Sequence, residues 1–358
     1  MTPPPEYEVA VVGAGPAGST AAVYAARLGH RVALLDAGGG RHEAVARVHN
    51  LIGVSPETSG AELADLAVEQ LIGYGVDFFP DAVTGVERVA TDPPRFAVTA
   101  DRADLRAERV VLATGFTDVE PDVPGLEQFA GRGVHYCVHC DAYTLGDHPV
   151  FVLGHDDHAA NVAMLLLNVT ADVDLLLDGA DPGWSDDTAR QVEAHPLDVV
   201  ETPAEAPVPE APTEGDEWLR GLRFEDGSVR EYAGGFAVYG RSYNHDLARE
   251  LGCELHEDGA VAVDEDRRTS VEGVYAAGDL THGQNQTTIA LGDGAYAGIA
   301  VHRDLRTFPV ADELAEVPEA PAMADDLRAR MRRVNDRGMT VGMTPDRDVH
   351  HVREGDDD

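Results

Sequence analysis

Tyr7-Glu8-Val9-Ala10-Val11-Val12, then Gly13-Ala14-Gly15-Pro16-Ala17-Gly18, then an alanine-rich segment from Ser19 to Leu28: this run decides the fold. The first six residues form a short apolar run that reads as a strand. Alanine gives the segment after the glycines good helix propensity. Strand, glycine turn, helix is the setting in which G-x-G-x-x-G carries meaning. The glycines allow a tight turn and close approach of the backbone to a pyrophosphate, whose charge sits on the helix N-terminus. A second strand, Arg31 to Leu35, ends in Asp36, where an acid hydrogen-bonds adenosine ribose hydroxyls. The run predicts an α/β unit that binds a dinucleotide.

Outward from that turn, residues 60–115 read as a helix, Ala61 to Tyr74, and then short valine-rich strands, the last running into Ala113-Thr114-Gly115. Proline and glycine punctuate Phe116 to Gly133, which reads as a crossing between units. A second apolar run, Pro149 to Gly154, leads to a helical stretch, Ala159 to Leu167, and a strand, Asp172 to Leu177. The architecture of the first unit is therefore repeated. Acidic, proline-rich Glu201 to Glu217 reads as a solvated loop, and strands return from Leu222 to Tyr239. Gly273-Val274-Tyr275-Ala276-Ala277-Gly278-Asp279 is a strand running into a turn that carries an acid. Gln284-Asn285-Gln286-Thr287-Thr288 follows, then a helix from Ile289 to Ala300 in which Gly292, Gly294 and Gly298 permit close packing. An acidic linker, Asp312 to Glu319, precedes Asp325 to Arg337, with Leu327, Met331 and Val334 on one helical face. Arg328, Arg330, Arg332, Arg333 and Arg337 make this a basic cluster. It reads as a helix packed on the acidic body; the functional alternative is a cover for a nucleotide site or a dock for an acidic electron carrier.

Composition bounds the partners. In 358 residues there are 65 acids against 27 bases, a net charge of −38, and every base is arginine. Such a chain repels itself in dilute buffer, and the repulsion fades as the Debye length falls to roughly 3 Å at 1 M salt. The composition resembles that of extremely halophilic archaeal proteins. Like charge disfavours nucleic acid and anionic membranes. No run reaches the roughly 18 apolar residues that span a bilayer. Met1 to Glu6 carries neither a basic nor an apolar signal region, so a soluble cytoplasmic protein is expected.

The three cysteines are Cys137, Cys140 and Cys253. In a reducing cytosol a structural disulfide is disfavoured, so the close pair in Cys137-Val138-His139-Cys140-Asp141 reads as catalytic or metal-binding. His135, Cys137, His139 and Cys140 could ligate zinc, but no second C-x-x-C or H-x₃-H completes the set. As a redox pair, His139 is a candidate to lower a thiol pKa, or a polar filler, and Asp141 is a candidate proton donor. Cys253 reads as a small buried hydrophobe.

With GAGPAG at 13–18, ATG at 113–115, CVHCD at 137–141, GVYAAGD at 273–279 and Asn285-Gln286 in that order, the chain resembles the low-molecular-weight thioredoxin reductase family over about its first 305 residues. The resemblance implies two Rossmann-like three-layer domains, the second inserted in the first. Residues 1–117 and 245–310 would bind FAD, 118–244 would form the nicotinamide-type domain with the C-x-x-C, and 311–358 would be an extension. It assigns Gly13, Gly15, Pro16, Ala17, Gly18, Asp36, Asn50, Ala113, Thr114, Gly115, Gly278, Asp279, Asn285, Gln286 and Thr287 to FAD. Cys140 would face the flavin, Cys137 would exchange with substrate, and Asp141 would be the acid–base residue. A homodimer is implied.

One departure stands out. Relatives that use NADPH carry G-x-G-x-x-A and then a basic run, whereas this chain has Gly154-His155-Asp156-Asp157-His158-Ala159 and then Leu177-Asp178-Gly179-Ala180-Asp181. Each of Asp156 and Asp157, roughly 5 Å from a phosphate, would oppose it by roughly 3 kcal/mol before salt screening. No cation is placed to grip a 2′-phosphate. NADPH is therefore not expected, and NADH, which Asp178 could hold by its ribose, meets the same pyrophosphate objection. The expected activity is FAD-dependent thiol–disulfide exchange with a thioredoxin-like protein, with ferredoxin or another donor supplying electrons. The alternatives are an oxygen-using dithiol oxidase acting on small molecules, which the stretch Asp36 to Leu51 resembles somewhat more, and a flavin-binding redox sensor without turnover.

Overall fold

The computed structural model describes residues 3–210 and 217–306, with Asp325, Arg328, Ala329 and Arg332 beyond them. The first half runs β1 (Glu6–Val12), α1 (Pro16–Arg27), β2 (Val32–Asp36), α2 (Gly60–Gly73), β3 (Asp77–Pro80), β4 (Val83–Thr91), β5 (Pro94–Ala100) and β6 (Asp104–Leu112). A crossing strand, β7 (Phe116–Asp118), leads to β8 (Val134–His135), α3 (Val138–Leu145), β9 (Val150–Leu153), α4 (Asp157–Leu166), β10 (Val173–Leu176), α5 (Asp186–Ala194) and β11 (Asp198–Val200). Then come β12 (Ala204–Pro209), β13 (Leu219–Phe224), β14 (Val229–Glu231) and β15 (Gly234–Ala237). The return is β16 (Arg241–Tyr243), α6 (Asp246–Glu250), β17 (Val274–Ala276) and the long α7 (Thr287–Leu305).

Two main sheets result, each with a parallel core. The first has the order β3-β2-β1-β6, with β5 and β4 continuing antiparallel from one part of β6 and β17 pairing in parallel with its end. The second has the order β11-β10-β9-β15-β8, all parallel. In each sheet a central strand, β1 or β9, feeds a helix through a glycine turn. The expected α/β fold is therefore present twice, as Rossmann-like units, the second lying between β7 and β16 of the first. These strands are short and buried on both faces, as parallel sheets demand: Val9, Val11, Leu34, Leu35, Val111 and Phe151 are among the fully covered side chains. Alanines of α1 and α7 pack together over the first sheet. Gly294 and Gly298 allow this, because a Cβ at 298 would stand 2.8 Å from the Ala21 carbonyl oxygen, and one at 294 would collide with that of Ala17.

The solvated loop expected over 201–217 is corrected in part. Residues 204–209 form β12, antiparallel to β13, and its prolines Pro207 and Pro209 are tolerated because β12 is an edge strand. The crossing 116–133 likewise carries β7 and a 3₁₀ turn, Leu126–Phe129. The tail's apolar face, Leu327, Met331 and Val334, and the linker from Asp312 lie outside the described residues. No helix of the described residues is long and apolar enough to cross a membrane.

Candidate active site

The first glycine turn is fixed by close contacts. Gly13 leaves β1 at φ +100°, and a methyl group there would come 2.8 Å from the Ala113 carbonyl carbon. Gly18 lies so near the Gly13 carbonyl that no Cβ fits, whereas Gly15 faces open space. Pro16 and Ala17 open α1, and no side chain among the described residues caps it. The first N–H groups of α1 are thus left for a ligand, an arrangement that takes a phosphate. Asp36 closes the end of β2, with Oδ1 accepting from the Ala14 N–H at 2.8 Å and Oδ2 from the Gly38 N–H at 2.9 Å. Each oxygen keeps a lone pair for a ribose hydroxyl.

Ala113 is the floor beneath Gly13. Thr114 and Gly115 instead clasp the returning chain: Thr114 Oγ1 donates to the Asn244 carbonyl at 2.7 Å, and the Asn244 N–H donates to the Gly115 carbonyl at 3.0 Å. Gly278 packs on Ala17, and Asp279 beside it is half-buried. Burial raises the Asp279 pKa, against the pull of Asn285, Arg41 and Arg241. Both arginines lie over the Phe116 ring, at 4.8 and 5.0 Å, and Arg41 also pairs with Asp118 at 2.6 Å. Arg241 meets Asn285 Oδ1, and Asn285 sits at φ +50°, a conformation asparagine tolerates. Near Asp279, burial depresses the His42 pKa, and His42 Nε2 is buried without a hydrogen-bond partner among the described residues. An unmet buried nitrogen is costly, and a polar ligand would satisfy it. Open glycine turn, acid at the strand end and unmet nitrogen together fit FAD.

Cys137 and Cys140 are joined as a disulfide with Cα atoms 5.3 Å apart. Neither sulfur is then the thiolate that zinc requires. Cys137 caps α3, whose first turn holds His139, Cys140 and Asp141. Its carbonyl accepts from the N–H groups of Cys140 and Asp141 at 3.1 and 3.2 Å. The disulfide therefore lies on a helix N-terminus, which favours sulfur anions once it opens. His139 is exposed and Cys140 half-buried. His135 is buried at the end of β8, with Nδ1 3.3 Å from Asp141 Oδ2 and its ring against Phe236. The expectation concerned His135 only as a zinc ligand; its place as the last strand residue before the helix is the signal that could have paired it with Asp141. Gln286 caps α7 but turns its side chain away from that helix. Its Nε2 lies 3.5 and 3.7 Å from the two sulfurs, and its Oε1 accepts from Asn50 Nδ2 at 3.0 Å. Thr287 is the first residue of α7.

The second glycine turn is occupied by its own chain. Asp156 caps α4, with Oδ1 accepting from the Ala159 N–H at 2.9 Å. Asp157 Oδ1 accepts from the N–H and Oγ of Ser185, each at 3.0 Å, and the Gly183 N–H donates to the His155 carbonyl at 2.7 Å. Segment 183–185 is thereby fastened to the turn. Asp178, at φ +53°, accepts from the Ala204 N–H at 2.8 Å. Cys253 is buried, which raises its thiol pKa.

Comparison with known proteins agrees with this geometry. The family described as pyridine nucleotide-disulphide oxidoreductase matches residues 7–295. A thioredoxin reductase from Aquifex aeolicus is 30% identical over 312 residues, covering 84% of this chain and 93% of that protein. A component of alkyl hydroperoxide reductase from Pseudomonas putida is 34% identical over 310 residues and 82% of this chain, which spans 57% of that component's length. Among solved structures, HlmI superposes with a TM-score of 0.76 at 29% identity, covering 92% of this chain and 97% of its own. Thioredoxin reductase from Streptococcus pyogenes also gives 0.76, at 27% identity, 85% of this chain and 99% of its own.

Proposed function

Because the chain belongs to the pyridine nucleotide-disulphide oxidoreductase family, as a thioredoxin reductase-like FAD-dependent disulfide oxidoreductase, we propose that its partner is a thioredoxin-like protein disulfide and its electron donor is not NADPH but a carrier such as reduced ferredoxin. One observation carries the reading. Gln286, which caps a helix of the first unit, reaches both sulfurs of a disulfide built on the second, so the two units meet at the dithiol.

The turn at 13–18 and Asp36 would hold the pyrophosphate and adenosine ribose of FAD, and Asp279 with Asn285 the part nearer the ring. When bound, FAD supplies the electron pair that opens the disulfide. Of the two sulfurs, Cys137 is assigned to attack the partner's disulfide and Cys140 to the flavin side. Opening leaves two sulfur anions, which the α3 N-terminus favours, and one must be protonated. Asp141 is assigned that proton, and His135 at 3.3 Å can hold and replace it. His139, between the cysteines, would add positive charge when protonated. Residues 1–117 with 245–310 form the FAD domain in this reading and 118–244 the inserted one, in a homodimer.

Independence from NADPH is supported at the second turn. The Asp156 carboxylate already takes the α4 N–H group that a phosphate would use, and Asp157 adds a second negative charge there. The deciding experiment is anaerobic mixing in molar KCl while flavin absorbance is followed. Reduced ferredoxin should bleach the flavin and a thioredoxin-like disulfide should restore it, while NADPH and NADH at equal concentration leave it oxidised. Rapid bleaching by NADPH would overturn the donor assignment, and peroxide released from small dithiols in air would turn the direction of flow toward oxidation.

A further inference from the structure

We propose that Gln286 is the hydrogen-bond donor that stabilises the sulfur released as thiolate, and that Asn50 fixes the direction of its amide. This rests on the disulfide exchange argued above and assigns a role to two residues that the resemblance gives only to the flavin.

A primary amide has one donating and one accepting end, and a sulfur in a disulfide or a thiolate can only accept. The wrong end toward the sulfurs would place a carbonyl dipole against the developing charge. Here Asn50 Nδ2 donates to Gln286 Oε1 at 3.0 Å, which claims the carbonyl end, and that oxygen stands farther from the sulfurs than the nitrogen does, 3.9 Å from Cys140 Sγ. Nε2 is left for the sulfurs at 3.5 and 3.7 Å, and it also reaches the Asn285 carbonyl at 3.3 Å. Both ends of the amide are therefore engaged. The three segments involved are distant in sequence: the loop before α2, the start of α3 and the start of α7.

In the oxidised state these N–H···S contacts are long and neutral. When two electrons enter the Cys137–Cys140 bond, the bond breaks, one sulfur takes a proton and the other stays anionic. The contact then becomes charge-assisted, about twice as strong as a neutral one. A donor that gains strength only on reduction makes the disulfide more oxidising. Its position between the two sulfurs lets it serve whichever one carries the charge.

The test uses the whole flavoprotein equilibrated with reduced and oxidised glutathione, with Cys137 and Cys140 trapped by alkylation and counted by mass. Gln286→Leu should lower the reduced-to-oxidised ratio about tenfold, equivalent to about 30 mV, and Gln286→Glu at least as much. Asn50→Asp should match Gln286→Leu although it touches no sulfur, because a carboxylate can only accept and would draw the N–H end of Gln286 to itself. In the Gln286→Leu background, Asn50→Asp should add less than about twofold. A full additional tenfold fall there would assign the effect to the new charge and remove Asn50 from the arrangement. Wild-type potentials in Gln286→Leu and Gln286→Glu, with FAD content and melting temperature retained, would refute the donor alone. A wild-type pair that never exchanges with glutathione would refute the functional reading with it.

Discussion

A carboxyl group next to a dithiol acts as an acid only while a proton is kept within its reach, and in the role proposed for Asp141 the buried imidazole of His135, 3.3 Å away, would keep it there. Asp141→Asn should lower turnover of a thioredoxin-like disulfide by about 100-fold, within the usual range for a lost general acid. His135→Asn should lower it about tenfold, and His135→Gln less, at saturating partner. Wild-type turnover in His135→Asn with the melting temperature retained would reduce His135 to a packing residue. The closure of Cys137 onto Cys140 was legible from their spacing. The contacts of His135 and Gln286 were not, because the strand end and the helix cap that carry them say nothing about which way a side chain turns.

At the scale of elements, the pairing of α1 with α7 carries the first unit, and its two kinds of glycine make a sharp comparison. Gly294→Val forces a side chain into the Ala17 backbone and should destabilise the protein by about 1–3 kcal/mol in guanidinium unfolding. Gly292 faces open space, so Gly292→Ala should stabilise it by about 0.5–1 kcal/mol. The far end of α7 is anchored by ionisable groups. His30 is fully buried between Glu8 at 3.1 Å and His302 at 2.9 Å, and Arg306 also reaches Glu8. Burial by itself would raise the Glu8 pKa, but hydrogen bonds from His30, the Arg31 N–H and Arg306 bring it down to about 2. A carboxylate lowered from 4.5 to about 2 contributes stability that is present above 4.5 and lost as pH falls through about 2. Burial, with the charges of His30 and Arg306, also lowers the His302 pKa below 6.5. The unfolded chain then binds the proton more readily, and stability declines as pH falls below 6.5. Both effects have the same sign. In 2 M KCl, where the net charge is screened, the melting temperature should therefore drop from pH 7 toward pH 3, and His302→Gln should flatten the upper part of that drop.

For the whole molecule, the decisive quantity is net charge. With 65 acids and 27 arginines, self-repulsion opposes compaction, and raising KCl from 0.1 to 2 M should raise the melting temperature by on the order of 10 °C or more. A melting temperature independent of salt would contradict the halophilic reading. The two Rossmann-like units were legible because each announces itself locally, as an apolar run, a glycine turn and a helix within about thirty residues. Strand β12 was not, since acids and prolines read as solvent-exposed until β13 supplies a partner for its backbone. By itself, the sequence determined the α/β class, the dinucleotide turn and the identity of the dithiol, because those depend on neighbours along the chain. Only the tertiary structure decided that Gln286 meets the sulfurs with Asn50 behind it, that His135 meets Asp141, and that Asp156 caps α4 while Asp157 holds Ser185. Contacts among side chains on different elements depend on how those elements pack, and hydrophobic periodicity carries no information about them.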